Sequence, residues 1–564
     1  MFSLDMDDNA LYHTKLDTLF QGVRHPHSTA STPVTQFRGI KYASIPKRWR
    51  QSRLFEEYSD RYDATIYGPS CPQYASPVAA EDLFNGIDVN SMDAVKTEGP
   101  FQFNEFECLN LNISTPTDRS KRNNIPVMIC IHGGGLLNGR NASWFVDGGA
   151  FVAKSVISRK PVIFVTLNYR LGSLGFLASK QLLQDNQEAG DAGVGNYGPH
   201  DIYLGIEWVY RNITAFGGDP RNITLLGESA GALGVLMQVY SSLPRRFRRA
   251  VVQSGQIDSG TMSYPATLEE QQSIYDQHQK MLGVNSLEEM RRLPVSEYES
   301  IPIQLQKLGS MICRITIDNI HYNSSWQESD CTGLEIIVGD TSHEYTVFEA
   351  IAREVSLGQD SNRTSTDNFI ASLKDVIAED RLQQVLATYS ITPTLDNEEI
   401  LLRLWQLIED STFAEPTERF ASTSVRHGAV VYRYLFDEIN PFGGWFVNRA
   451  ANHALELPYL YGPNGIFSKV EDPLKEQKIS TDLQEKWLRF AYGERIWKPF
   501  NEGGYYAFGP EGKFGQVDLD EVKIRRRVQR WEWVRVLRFE ERWELVIRAV
   551  AYASRLLWNE AEKT

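Results

Sequence analysis

Gly227-Glu228-Ser229-Ala230-Gly231 says more about this chain than any other five residues. It follows Ile223-Thr224-Leu225-Leu226, an apolar and β-branched run suited to a buried strand. Ala232-Leu233-Gly234-Val235-Leu236-Met237 then continues as a helix. A G-x-S-x-G pattern between strand and helix predicts a strained turn that exposes the Ser229 hydroxyl above a helix N-terminus. A side chain at 227 or 231 would collide where strand and helix pass close together.

Upstream, Pro126-Val127-Met128-Ile129-Cys130 reads as another strand, and Ile131-His132-Gly133-Gly134-Gly135 as the glycine loop that ends it. Adjacent glycines let backbone N–H groups converge on one point, as an oxyanion hole requires. An isolated triple glycine would be read as a flexible turn. Two such motifs, each after a strand and in this order, point to nucleophilic serine chemistry.

Further strand-like runs are Val162–Leu167, Ala250–Gln253, Ile336–Gly339 and Ala429–Leu435, with helical patterns such as Ile202 to Asn212 between them. This alternation predicts a mostly parallel sheet covered by helices. The polar stretches His25 to Pro33 and Asp360 to Asp367 read as loops too short to divide the chain. One domain over 1–564 is expected, with an N-terminal arm over 1–36 and a charged, Trp-rich helical tail over 525–564.

The chain has 564 residues, enough for a large core, and a net charge of -14. With a pI of about 5.4 it is a poor partner for nucleic acid, which needs clustered cations. The cluster Lys523-Ile524-Arg525-Arg526-Arg527 reads as a solvated helix face. No run is apolar for long enough to span a membrane, and the acidic start Met1 to Asp8 is no signal peptide. A cytoplasmic protein is therefore expected, with secretion after processing as the alternative. Five cysteines make neither a disulfide scaffold nor a zinc site, and Cys130 reads as a buried free thiol.

A serine nucleophile needs a base and an orienting acid, and after this elbow the order is acid, then histidine. Of the later histidines, His278 reads as a surface residue, His321 and His343 precede or abut the acid, and His427 ends a helix. His453 lies in a loop ahead of Leu455-Glu456-Leu457-Pro458. For the acid, spacing leaves Asp340 and Glu344 side by side.

Several blocks carry a resemblance across most of the chain. They are Phe37-Arg38-Gly39-Ile40-Lys41-Tyr42-Ala43, Gly68-Pro69-Ser70-Cys71-Pro72-Gln73 and Glu107-Cys108-Leu109-Asn110. With them stand Asn168-Tyr169-Arg170-Leu171-Gly172, Gly195-Asn196-Tyr197-Gly198, Phe216-Gly217-Gly218-Asp219-Pro220 and Gln253-Ser254-Gly255. Together with the elbow, the glycine loop and the His453 block, they resemble the type-B carboxylesterase family. That family includes cholinesterases and several fungal lipases, and the chain resembles its intracellular fungal members.

The resemblance implies an α/β-hydrolase fold: a large, mostly parallel central sheet covered by helices, with loop and helical insertions around the site. It implies Glu344 as the acid and His453 as the base, with Tyr345 standing where the family carries glycine. By analogy the oxyanion donors are the N–H groups of Gly134, Gly135 and Ala230, with Glu228 and Ser254 as supporting residues near the triad. Cys71 and Cys108 match the family's first disulfide, which closes a lid in related lipases. The implied reaction is hydrolysis of a small or medium-sized ester or lactone through an acyl-enzyme, with water as co-substrate and no metal or cofactor. The alternatives are a lipase, with Phe84 to Phe106 as an apolar lid, and a non-catalytic adhesion relative. The last would lack the serine or histidine that this chain keeps. Asn112, Asn141, Asn212, Asn222, Asn323 and Asn362 fit N-x-S/T, which matters only in a secreted chain. Oligomeric state is not written in these residues.

Overall fold

The structure is a computed structural model, describing residues 8–74, 87, 102–117, 124–258, 264–307, 313–354, 365–442, 450–463 and 465–561. The candidate lid falls almost wholly outside these residues, as does most of the expected loop from Asp360 to Asp367. Of the lid's aromatic residues, Phe103 and Phe106 are exposed.

Apolar runs that read as strands from sequence are strands because both of their faces are covered. Ile125–Ile131, Ile163–Leu167 and Arg249–Gln253 are buried at every position. In a parallel sheet between helices no face is left for water, so polar alternation disappears. The side-chain period of two still sorts the faces. Val127, Ile129, Ile131, Leu225 and Ile336 join one core with the helix Tyr197–Asn212. Met128, Cys130, Leu226, Val251 and Ile337 join a second core with the helix Pro473–Ala491.

Among the described residues the main sheet has eleven strands. Its central block runs Ile163–Leu167, Ile125–Ile131, Gly218–Glu228, Arg249–Gln253, Glu335–Thr341, Val430–Phe436 and Tyr505–Phe508, all parallel. Antiparallel strands close both sides. Phe514–Val517 flanks one, and Asn110–Pro116, Val34–Lys41 and Val23–Arg24 extend the other. Near the N-terminus Ala10–His13 pairs with Thr18–Gln21, which pairs in turn with Arg61–Asp63.

Towards the C-terminus lie the helices Leu519–Arg525, Glu532–Val536 and the long Phe539–Ala561. The last packs against Thr346–Glu354, Thr366–Leu373 and Asn397–Glu409, forming a third core beside the sheet. One expectation for this region fails. Arg526 is 1% exposed rather than solvated. Charged neighbours far away in sequence bury it, as described below.

Candidate active site

The turn at Ser229 has φ 55° and ψ -125°, a conformation that costs a non-glycine residue about 1–3 kcal/mol. It persists because its surroundings fix it. The Ser229 N–H donates to the Gln253 carbonyl at 2.9 Å, and the Ser229 carbonyl accepts from the Leu233 N–H at 3.2 Å. A Cβ at Gly227 would lie 2.2 Å from the Gly231 carbonyl oxygen, and one at Gly231 would lie 2.1 Å from that of Ile131. The glycines of the elbow are thus required by contact with each other and with the loop beside them.

That loop is the glycine run after Ile131. A Cβ at Gly133 would be 3.5 Å from the Ser229 Cβ, so loop and elbow touch. Gly133, Gly134, Gly135 and Ser229 are all half-exposed among buried neighbours, which marks one opening to solvent. Ala230 is buried as the first residue of the helix Ala230–Val239. The His132 ring stacks on Tyr169 at 4.6 Å, and the Tyr169 hydroxyl donates to the His132 carbonyl at 2.9 Å. Gln73 clamps the far end, accepting from the Gly139 N–H and donating to the Gly139 carbonyl.

Glu344 and His453 come together from loops beyond the strands Glu335–Thr341 and Val430–Phe436. Glu344 Oε2 lies 2.5 Å from His453 Nδ1, and Glu344 Oε1 accepts the Thr341 N–H at 2.6 Å. Both carboxylate oxygens are therefore occupied, and Nδ1 is the nitrogen that is fixed. The two loops also hold each other. His343 N–H donates to the Ala451 carbonyl, and His453 N–H donates to Thr346 Oγ1 at 3.0 Å. Tyr345 stands outside the left-handed backbone region and stacks on Trp405 at 5.8 Å, so this loop does not need the family's glycine.

Asp340 is elsewhere. Its Oδ2 accepts from Arg433 Nη2 at 2.5 Å and its Oδ1 from Arg526 Nε at 2.7 Å. Of the two acids that spacing left open, the structure brings only Glu344 to a histidine.

Three carboxyl groups surround His453. Glu228 Oε1 is 3.1 Å from Nε2, though not aligned for a hydrogen bond. Glu456, one helical turn after His453, accepts from the Tyr434 hydroxyl at 3.0 Å and from Ser254 Oγ at 3.4 Å. Burial pushes Glu228 up to about 8 and Glu456 up to about 7. Burial alone would lower His453, but Glu228, Glu344 and Glu456 outweigh it and raise the imidazole to about 9. Phe413 closes the site, its ring centroid 5.4 Å from that of His453. It sits in the π-turn Asp410–Ala414, a local widening often found at functional sites.

A family profile described as the carboxylesterase family matches residues 9–519. The chain belongs to the carboxylesterase family. It is 28% identical to Lipase 3 of Yarrowia lipolytica over 88% of this chain and 92% of that protein. It is also 28% identical to the para-nitrobenzyl esterase of Bacillus subtilis, over 82% and 87% respectively. A solved PNB esterase structure superposes with a TM-score of 0.71 at 24% identity, covering 93% of this chain and 99% of that one. The fold is that of the α/β-hydrolases, and the protein is a carboxylic ester hydrolase. No helix among the described residues is long and apolar enough to cross a membrane.

Some residues of this carboxylesterase differ from their sequence reading. His278 is buried, not at the surface. Its Nε2 meets Ser173 Oγ at 2.7 Å and its Nδ1 the Ile274 carbonyl at 2.7 Å. His321 is also buried, between Asp318 at 2.9 Å and His200 at 3.1 Å. Cys71 and Cys108 are both buried, with their side chains in contact. Sequence reading passed over Tyr434, Phe413 and the role of Glu456. Only Glu456 left a signal, its spacing of three residues from His453.

Proposed function

We propose that this carboxylesterase hydrolyses a small or medium-sized ester or lactone with Ser229 as nucleophile, His453 as base and Glu344 as orienting acid. The observation that carries this reading is the 2.5 Å contact of Glu344 with His453 Nδ1, at the site whose elbow is Ser229. Holding Nδ1 leaves Nε2 to take the proton of Ser229 as Oγ attacks the carbonyl carbon. The N–H groups of Gly134, Gly135 and Ala230 receive the developing oxyanion, each donor contributing up to about 3–4 kcal/mol. The C–O bond breaks, His453 returns the proton to the departing alcohol, and an acyl-enzyme remains. His453 then takes a proton from water, the hydroxyl adds to the acyl carbon, and Ser229 leaves with that proton. Glu228 and Ser254 support this set, Glu228 beside Nε2 and Ser254 through Glu456.

Replacing Ser229 with alanine is expected to abolish turnover and leave the fold intact. An organophosphate should label one residue, mapped by peptide mass to Ser229. A label elsewhere, or substantial activity in S229A, would overturn the assignment.

A lipase is the second reading, favoured by the similarity to Lipase 3. A chain-length series of nitrophenyl esters separates the two. An esterase peaks at short acyl chains without activation by micelles, and a lipase rises with chain length at the interface. The reading includes a cytosolic home, where the five buried cysteines stay reduced.

A further inference from the structure

We propose that Arg526 is a positioning residue for the Glu344–His453 pair, acting through the two strand ends it joins. This rests on the triad reading given above. The profile of the family ends at residue 519, so Arg526 lies in a C-terminal segment beyond the matched region.

A guanidinium at 1% exposure must find partners for its donors, since an unpaired buried charge is costly. Arg526 finds them at the ends of two neighbouring strands. Its Nε donates to Asp340 Oδ1 at 2.7 Å, its Nη1 to Asp437 Oδ1 at 2.8 Å, and its Nη2 to the Asp340 carbonyl at 3.2 Å. Asp340 is paired in register with Leu435 in the adjacent strand, and Asp437 is the residue just after that strand. Arg526 therefore bridges the C-terminal ends of the strands that lead to the acid loop and the base loop. Asp437 Oδ2 takes Arg525 Nη1 at 2.7 Å, and Asp340 Oδ2 takes Arg433, so the bridge is itself braced.

The gripped residues adjoin the contacts that place the acid. Thr341 follows Asp340, and its N–H donates to Glu344 Oε1 at 2.6 Å. Phe436 precedes Asp437, and its carbonyl accepts from the Ser342 N–H at 3.1 Å. A shift of either strand end moves an atom that holds Glu344 or the loop carrying it. Misplacement by about 1 Å costs on the order of a hundredfold in rate where geometry governs the chemistry. A lysine could not reproduce the bridge, because a single ammonium lacks the planar fork that spans two carboxylates.

The test compares the wild type with Arg526→Lys and Asp437→Asn in the full-length chain. Melting temperature, kcat, KM, the pH profile of kcat/KM and the rate of fluorophosphonate labelling at Ser229 are measured for each. In the folded variants kcat and the labelling rate should fall together by about tenfold to a hundredfold. KM should change little, and the acid limb of the profile should move to lower pH as His453 loses the grip of Glu344. If R526K does not fold, D437N carries the test, since Asn preserves the shape and removes only the charge. Wild-type kcat and an unmoved acid limb in a folded variant, even one with a lower melting temperature, would overturn the proposal and leave Arg526 a structural residue. Failure of wild-type Ser229 to take the label would overturn the triad reading instead.

Discussion

Three buried carboxyl groups facing one imidazole make protonation the main variable at this site. His453 is raised from the ordinary 6.5 to about 9, so its contribution to stability is complete below about pH 6.5 and is lost as pH rises through 9. Glu228 is raised from 4.5 to about 8, so the folded protein keeps a proton that the unfolded chain releases, and stability again falls with rising pH. Turnover needs neutral His453 and climbs over the same interval. The Glu228→Gln variant removes one of the charges that raise the imidazole. Its acid limb in kcat/KM should lie at lower pH than in the wild type, and its melting temperature should decline less between pH 7 and 9. A pH–rate profile with a matched melting series checks both, the two groups being treated as one coupled titration. The acids at 340 and 344 separate by a different pair of readouts. Glu344→Gln should lower kcat by about four orders of magnitude, as loss of a triad carboxylate does elsewhere. Asp340→Asn breaks a buried ion pair, and its first cost is stability, about 3–5 kcal/mol, with a much smaller loss of rate.

At the scale of elements, the site depends on backbone approach where the helix Ala230–Val239 begins against the glycine loop. Gly231→Ala would place a methyl 2.1 Å from a carbonyl oxygen that belongs to a strand and cannot swing aside. The expected cost is about 1–3 kcal/mol, with turnover falling as elbow and loop separate, measured by denaturant titration and steady-state rates. The strands and this turn were legible in the sequence because buried parallel strands are continuous apolar runs and the glycine spacing has a steric cause. Other elements were not legible, and for physical reasons. Arg526 sits in a charge run of the kind that normally faces water, and the aspartates that bury it lie 186 and 89 residues away. His278 is hidden by a serine 105 residues away. The π-turn that sets Phe413 against His453 interrupts an otherwise continuous helical stretch, Asn397 to Arg426, with no break in its apolar pattern.

For the whole molecule, Ser229, Glu344 and His453 follow the C-terminal ends of parallel strands in a single sheet, the edge where open α/β sheets bind ligands. Redox state should leave this arrangement alone. Burial raises the thiols of Cys71, Cys130 and Cys313, which makes them poor nucleophiles. Alkylation of the native protein should be slow, and dithiothreitol should change neither activity nor melting temperature. Loss of activity on mild reduction would point to a disulfide and an oxidising compartment. Three buried asparagines carry the last consequence. Asn112, Asn141 and Asn212 are at most 3% exposed, and each amide donates inward, to the carbonyls of Asn141, Asn110 and Trp208 respectively. Each also begins an N-x-S/T sequon, and oligosaccharyl transfer acts on the nascent chain before strands pair. Routed through a eukaryotic secretory pathway, the polypeptide would receive sugars at positions that must later be desolvated, and the yield of active enzyme should collapse. Cytosolic expression, or secretory expression with the Ser or Thr of each sequon changed to alanine, should restore it.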